Sequence, residues 1–125
     1  MKEIISTEKA PAAIGPYSQA VKANGFVFVS GQIPVIPVTG EFALGGIQEQ
    51  TAQCIKNGMA ILAQEGLTLD NVVKTTVYLS DMEDFAPMNE VYASYFSKDP
   101  PARSAIQVGK LPMRAMVEIE MIAAE

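Results

Sequence analysis

The chain has no histidine and only one cysteine, Cys54. Without histidine, the commonest acid–base side chain of enzymes and the commonest metal ligand is missing. With a single cysteine as well, the usual zinc and iron–sulfur ligand sets cannot form, and neither can a disulfide within the chain. Residues 1–7 do not resemble a signal peptide, so we expect a cytoplasmic protein. Any chemistry must therefore use arginine, carboxylate, hydroxyl and backbone groups.

Basic residues and long apolar runs are also scarce. The chain carries 9 Lys and Arg against 14 Asp and Glu, a net charge of −5, which disfavours general nucleic-acid binding because that needs a basic surface. No apolar run approaches the roughly 20 residues that span a bilayer. Carboxylate-bound Mg²⁺ is left open, but no dense acidic cluster suggests it. We predict no metal site and no cofactor.

The rest of the composition is typical of a folded globular protein, with 49% hydrophobic and 18% charged residues. At 125 residues we expect one compact domain, residues 1–125, with one core.

The hydrophobic pattern predicts strands and two helices. Asn24-Gly25 lies between two strand-like runs, which is the strongest short signal for a hairpin. Apolar residues at helical spacing predict the main helix, and Gly66 follows it where a left-handed cap favours glycine. We predict strands at residues 2–6, 17–23, 26–30, 72–79, 102–108 and 116–123. We predict helices at residues 47–65 and from about Pro87 to Phe96.

This order of elements predicts an α+β fold with a mixed sheet and both helices on one face. The strands at residues 26–30 and 72–79 carry apolar or aromatic residues on both alternating faces. Because two helices cannot cover both sides of such a sheet, we expect a homo-oligomer that buries the other face.

Arg103 is the first candidate functional residue. It lies in the segment P-A-R-S, at the head of an apolar, strand-like stretch. An arginine can hold a small carboxylate with two parallel hydrogen bonds. Its small and hydroxyl neighbours favour a bound anion, although an ordinary surface salt bridge explains Arg103 equally well.

Glu118 and Glu120 are the next candidates, in the last predicted strand. If the odd-numbered residues of this strand face the helices, both glutamates point to the face expected at the oligomer interface. They are either solvated or paired there, or one of them holds a water for reaction. A spacing of about 7 Å would raise the pKa of one glutamate, but it does not say which one matters.

Two further segments have a structural and a functional interpretation. Ser30 and Gly31 either end a strand or form a backbone wall that a ligand can approach closely. Tyr17, which follows Gly15-Pro16, is more typical of a structural residue than of a catalytic one.

Taken together, these segments resemble the RidA/YjgF family of reactive-intermediate (enamine/imine) deaminases. The resemblance extends over nearly the whole chain in the expected order. The matching stretches are APAAIGPYSQ (10–19), SGQIP (30–34), VVKTTVY (72–78), NEVY (89–92), PARS (101–104) and VEIEMIA (117–123).

The resemblance implies a chorismate-mutase-like fold and a homotrimer with its sites in clefts between subunits. It implies hydrolysis of 2-aminoacrylate and 2-iminobutyrate, which pyridoxal-phosphate enzymes release, to 2-keto acids and ammonia. The implied partners are these small carboxylates, with no nucleic acid and no membrane. Arg103 matches the family's carboxylate-binding arginine and Glu118 its water-orienting glutamate. The matching cleft-lining positions are Tyr17, Ser30, Gly31 and Asn89.

One position departs from the family pattern. Ala105 follows Arg103-Ser104 where the family usually has cysteine. If the cysteine acts through its backbone, Ala105 replaces it in the substrate site and activity survives; if its thiol acts, the range of imines differs. The alternative function is a regulatory trimer that binds 2-keto acids without turnover. Ribonuclease activity, also attached to this family, is disfavoured by the acidic charge and the missing histidine.

Overall fold

The computed structural model describes all of residues 1–125 and contains six strands and two α-helices. The strands are β1 (Glu3–Ile5), β2 (Ala20–Ala23), β3 (Phe26–Gln32), β4 (Val72–Leu79), β5 (Ala102–Gln107) and β6 (Val117–Ala124). The helices are α1 (Ile47–Ala63) and α2 (Phe85–Tyr95). Neither helix combines the length and the apolar character that crossing a bilayer requires.

The strands form one mixed sheet in the order β1-β2-β3-β6-β4-β5. All neighbours are antiparallel except β4 and β5, which are parallel. Parallel neighbours need a crossover connection, which α2 supplies here. The C-terminal strand β6 lies between β3 and β4 and brings its glutamates next to the N-terminal hairpin. The predicted α+β fold is confirmed.

Both helices pack on one face of the sheet, as predicted. In β6 the odd-numbered residues lie under the helices and are at most 1% exposed, whereas the even-numbered residues are partly exposed on the other face. Residues from α1, α2 and the sheet share this core. They include Cys54, Ile55, Ile61, Leu62, Val77, Leu79, Met88, Tyr92, Val117, Ile119 and Met121.

Two turn predictions are confirmed by backbone geometry. Asn24 (φ 52°) and Gly25 (φ 80°) both have the positive φ that a tight hairpin turn requires, and they join β2 to β3. Gly66 (φ 72°) follows α1, and the amide of Leu67 donates to the carbonyl of Leu62 at 3.0 Å. This is the hydrogen bond of a Schellman cap, which ends the helix cleanly.

The face opposite the helices is apolar in part only. Phe26 and Phe28 are 42% and 45% exposed there, and Ile122 pairs with Phe28, so these residues form a small apolar patch on β3 and β6. Ile106, which is 46% exposed, lies apart from this patch on β5, where it pairs with Tyr78. For β4 the prediction of two apolar faces was wrong, because its outward-facing residues are Lys74, Thr76 and Tyr78.

The strand predicted at residues 17–23 begins only at Ala20. The preceding residues use side-chain hydrogen bonds instead of a strand ladder. The buried Gln19 amide donates to the carbonyls of Thr7 (3.0 Å), Ala10 (3.3 Å) and Pro11 (2.7 Å). The Gln19 side-chain oxygen accepts from the Thr7 amide at 2.7 Å. Gln19 thereby anchors the proline- and glycine-containing loop that reaches Tyr17.

Candidate functional site

A cleft of about 800 Å³ opens on the face of the sheet opposite the helices. Three segments surround it: the loop anchored by Gln19, the end of β3, and the turn Pro112–Arg114 before β6. Its lining residues are Pro11, Ala12, Ile14, Tyr17, Gln19, Ser30, Gly31, Gln32, Ile33, Val35, Gly40, Pro112, Met113, Glu118 and Glu120. Five of the residues singled out in the sequence thus share one cleft: Tyr17, Ser30, Gly31, Glu118 and Glu120.

A β-bulge brings Gly31 onto Glu118. Between Val29 and Gln32, β3 advances by three residues while its partner β6 advances by two, from Met121 to Ile119. The extra residue bends β3 towards the cleft, and bulges often have this effect beside functional sites. A Cβ atom added at Gly31 would overlap the Glu118 carboxylate, with its Cδ only 2.9 Å away. Only glycine lets this carboxylate lie against the strand.

The Glu118 carboxylate is partly shielded from solvent. Glu118 is half-buried, and burial raises the pKa of its carboxyl, with the charge of Glu120 as the second cause. The like-charge effect expected from the sequence is therefore present but secondary to burial. A carboxylate with a raised pKa accepts a proton more readily near neutral pH, as a general base must.

Glu120 also lines the cleft, but its carboxylate is hydrogen-bonded to a tyrosine. The Tyr78 hydroxyl donates to Glu120 Oε1 at 3.1 Å, and Tyr78 is the cross-strand neighbour of Glu118. Burial, and then the hydrogen bond to Glu120, raise the pKa of Tyr78, so its hydroxyl stays protonated at neutral pH. Of the two glutamates, Glu118 is the one without a hydrogen-bonded partner in the chain.

Gly31→Ala is expected to lower kcat/KM about tenfold or more, because the added methyl displaces the Glu118 carboxylate from the position its chemistry needs. Steady-state rates with the imino acids that the family resemblance implies would measure this. Gly109→Ala is the matched control, since a Cβ there meets nothing within 4 Å. Equal activity in the two variants would show that the position of Glu118 does not matter.

Ser30 and Tyr17 differ in how firmly they are held. The Ser30 hydroxyl donates to the Ser18 carbonyl at 2.6 Å, and the Ser30 amide donates to the Gln19 carbonyl at 2.9 Å. Ser30 therefore fastens the anchored loop to β3 and keeps its hydroxyl lone pairs for a ligand. Tyr17 is 52% exposed at the cleft, where its ring is accessible to a ligand or to another chain.

Arg103 lies elsewhere, on the helix-covered side of the sheet at the edge strand β5. Its guanidinium donates from Nη1 to Asn89 Oδ1 at 2.6 Å. It also lies over the rings of Tyr92 and Phe85, 4.8 and 5.5 Å from their centroids. Asn89 is its only hydrogen-bond partner, and no carboxylate of the chain lies within 4.0 Å of it. The surface salt bridge considered from the sequence is absent, so the positive charge is available to an anion.

Sequence reasoning missed Phe85 and Tyr92. Together with Asn89 they occupy positions i, i+4 and i+7 of α2, which share one helix face. This spacing is visible in the sequence, but nothing in it says that the face meets an arginine. Ala105 lies on the same side of β5 as Arg103, paired with Val77 and packed against the core.

Within one chain Arg103 and Glu118 do not meet. Arg103 pairs with Thr75, a buried residue on the helix side, whereas Glu118 pairs with Tyr78 on the opposite face. The two residues are also separated by three register positions and two strands, or roughly 10 Å in each direction. A substrate of three or four carbons cannot bridge them across the sheet. The structure also brings together no group of three or more metal-ligating carboxylate or thiol side chains.

Comparisons with known proteins give a consistent result. A family model described as Endoribonuclease L-PSP matches residues 7–125. A RutC family protein of Pyrococcus horikoshii is 56% identical, over 98% of both chains. The 2-iminobutanoate/2-iminopropanoate deaminase of Mus musculus is 49% identical, over 100% of this chain and 93% of that protein. The crystal structure of E. coli TdcF with bound serine has a TM-score of 0.94 and 44% identity, over 98% of each chain.

Proposed function

The chain belongs to the RidA/YjgF family, and on that premise we propose that it hydrolyses small 2-imino acids and their 2-enamine tautomers to 2-keto acids and ammonia. The single observation that carries the proposal is the complementary pair of charged groups: an aromatic-backed arginine without a carboxylate partner, and a half-buried carboxylate with a raised pKa beside a glycine wall. The substrate class is 2-aminoacrylate and 2-iminobutyrate.

The active site in this proposal is shared between copies of the chain. Arg103 lies at the free edge of β5, and Glu118 lies in a cleft on the face that carries the apolar patch of Phe26, Phe28 and Ile122. Burying that patch against a second copy removes apolar surface from water. In this proposal the same contact brings the β5 edge of one protomer to the cleft of the next, with a rotation that closes the head-to-tail contacts into a ring. We propose a homotrimer with three such sites.

Arg103 binds the substrate carboxylate. Its planar guanidinium offers two parallel N–H donors, which match the two oxygens and fix the orientation of the adjacent C=N carbon. Asn89 occupies Nη1, so the remaining donors face the ligand. Because a bound anion replaces no ion pair within the chain, binding breaks no existing salt bridge.

Glu118 directs the water. A water held by its carboxylate attacks the imine carbon, and the carboxylate takes one proton from this water and passes it to the imine nitrogen, which gives the carbinolamine. Glu118 then moves the proton of the carbinolamine hydroxyl to the amino nitrogen and is left as a carboxylate again. The C–N bond then breaks, ammonia leaves, and the carbonyl of the 2-keto acid forms. Acid–base assistance of this kind contributes about 10²- to 10⁴-fold, enough for imines that also hydrolyse unaided.

The direct experiment adds the protein to a pyridoxal-phosphate dehydratase that releases 2-aminoacrylate or 2-iminobutyrate, and follows the appearance of keto acid. We expect faster release in proportion to the protein added. Release at the uncatalysed rate at every protein concentration would refute the proposed activity.

A keto-acid-binding regulatory trimer is the second candidate. It is favoured by the bound serine of E. coli TdcF, since an amino-acid carboxylate could occupy the same Arg103 cluster here without turnover. It needs Arg103 but not the Glu118 water, so keto-acid binding without acceleration of imine hydrolysis would select it. Cleavage of RNA, suggested by the family description, is disfavoured by the net charge of −5 and the absence of histidine.

A further inference from the structure

Beneath Arg103 lies a buried pair of hydroxyl groups. The Tyr92 hydroxyl and the Thr75 hydroxyl are 2.7 Å apart and fully enclosed by the core. Thr75 is also the cross-strand neighbour of Arg103 in the parallel β4–β5 pair. The ring whose face supports the guanidinium is therefore fixed at its far end by the strand next to Arg103.

The packing of the core does not require the hydrogen bond between Tyr92 and Thr75. Tyr92 is 6% exposed and already stacks on Phe96, with ring centroids 4.6 Å apart. A phenylalanine would fill most of the same volume without a buried polar atom. Burying a hydroxyl needs a hydrogen-bonding partner, and the partner used here is the one side chain that ties the ring to the β4–β5 edge.

We propose that Tyr92, held by Thr75, is a positioning residue for Arg103: it fixes the plane of the guanidinium in the orientation that a carboxylate must meet. The consequence for substrate binding rests on the proposed function, whereas the fixed orientation of Arg103 does not. Asn89 holds one nitrogen at 2.6 Å, which leaves the guanidinium free to tilt about that contact. The flat face of Tyr92 removes this tilt through cation–π attraction.

Tyr92 must be a neutral phenol to support Arg103 without pairing with its charge. Burial raises the pKa of Tyr92, while the Thr75 bond and the charge of Arg103 oppose the rise. At neutral pH the phenol is thus protonated and supports the arginine without neutralising it. A carboxylate in the same place would form an ion pair and compete with the substrate.

The test uses Tyr92→Leu, which removes the ring, and the double variant Thr75→Val/Tyr92→Phe, which removes both hydroxyls and keeps the shape of the core. The double variant is informative because removing both partners of a buried hydrogen bond can leave stability nearly unchanged. Tyr95→Leu is the control: it removes a half-buried ring from the same helix, and Tyr95 is not among the rings beneath Arg103.

Two readouts separate positioning from packing. The chain has two arginines, so the Nε–Hε NMR signal of Arg103 can be assigned by its loss in Arg103→Lys. We expect this signal to carry the ring-current shift of Tyr92 in the wild type and to move in the double variant, which keeps an aromatic ring but loses its hydrogen bond to position 75. By calorimetry, the Kd for pyruvate should rise about tenfold in Tyr92→Leu and about threefold in the double variant. KM should rise in parallel, with kcat within about threefold.

Unfolding temperatures, measured on the same variants, help to decide whether Tyr92 positions Arg103 or only packs in the core. Tyr92→Leu and Tyr95→Leu should both lower stability, but only Tyr92→Leu should change the Arg103 signal and the pyruvate affinity. A wild-type Arg103 signal in the double variant would overturn the proposal, whether or not the protein binds pyruvate. Wild-type affinity in both Tyr92 variants, with an altered signal, would overturn its consequence for binding. If the wild type itself neither binds pyruvate nor accelerates imine hydrolysis, the proposed function fails, and the NMR result still decides the positioning.

Discussion

Arg103→Lys is expected to lower kcat/KM for the imino acid about 10- to 150-fold, which corresponds to about 1.5–3 kcal/mol for a charge-assisted hydrogen bond to a bound anion. Lysine keeps the positive charge but has no planar pair of donors. It also loses the flat contact with Tyr92 and the geometry of the Asn89 bond at 2.6 Å. The loss should appear mainly in KM and in the Kd for pyruvate.

The other arginine supplies a matched control. Arg114 is exposed in the turn before β6 and is not among the residues that line the cleft. Arg114→Lys should keep kcat/KM within about twofold of the wild type, as exposed surface substitutions generally do. If Arg103→Lys also stayed within that range, Arg103 would not be the group that binds the carboxylate.

Glu118→Gln is expected to lower kcat about 10²- to 10⁴-fold, the contribution of a positioned acid–base group. Glutamine keeps the size of the side chain and can still hydrogen-bond a water, but it cannot exchange a proton. The Kd for pyruvate should change little, since pyruvate is not hydrolysed and Arg103 still holds its carboxylate. Coupled imine assays beside calorimetric titration measure both quantities.

Glu120→Gln, two residues along the same strand, is the internal control. It removes an equal charge from the same face but from the residue that Tyr78 holds, so kcat should fall far less than in Glu118→Gln. Equal losses in the two variants would make the effect electrostatic rather than chemical. Unchanged turnover in Glu118→Gln would remove proton exchange by Glu118 from the mechanism and leave this residue only as a hydrogen-bonding support for water.

Because the pKa of Glu118 is raised, we expect the hydrolysis of imino acids to depend on pH. Activity should be lost as the pH falls through that raised pKa, because protonated Glu118 cannot accept a proton. In Glu120→Gln this loss should move to lower pH, since the second cause of the shift is gone. A raised carboxyl pKa also means that stability falls as the pH rises from the unfolded to the folded pKa. Glu118→Gln should therefore unfold at pH 7 no lower in temperature than the wild type.

Local structure was largely predictable from the sequence. The β-branched run Val72–Leu79 forms β4 with the predicted bounds, and the glycines at positions 25 and 66 have the positive φ that their turns need. The alternation of β6 correctly separated a buried face from the face that carries Glu118 and Glu120. These features depend on neighbours in the chain, which the sequence shows directly.

The candidate site was less predictable, because it depends on contacts between distant segments. The parallel pairing of β4 and β5 puts Arg103 on the helix side, and no local pattern contains that register. The bulge that sets Gly31 against Glu118 and the Tyr92 ring beneath Arg103 likewise arise from packing. Gln19 replaced the predicted strand start by side-chain hydrogen bonds to the preceding loop. The sequence singled out Arg103 and Glu118 as candidates but did not show that they lie on opposite faces of the sheet.

The central claim is that each active site takes Arg103 from one copy and Glu118 from another, and mixing two inactive variants tests it most directly. Arg103→Ala and Glu118→Gln subunits, carrying different tags, are refolded together, and trimers that contain both tags are isolated and confirmed by light scattering. Random assembly before isolation should regenerate about one quarter of the wild-type sites, because one contact in four pairs an intact Arg103 with an intact Glu118. In every isolated mixed trimer one of the three contacts pairs an intact Arg103 with an intact Glu118, so we expect imine hydrolysis at about one third of the wild-type rate, while each variant alone is inactive. Mixed trimers as inactive as either parent, or a stable monomer with full activity, would contradict it.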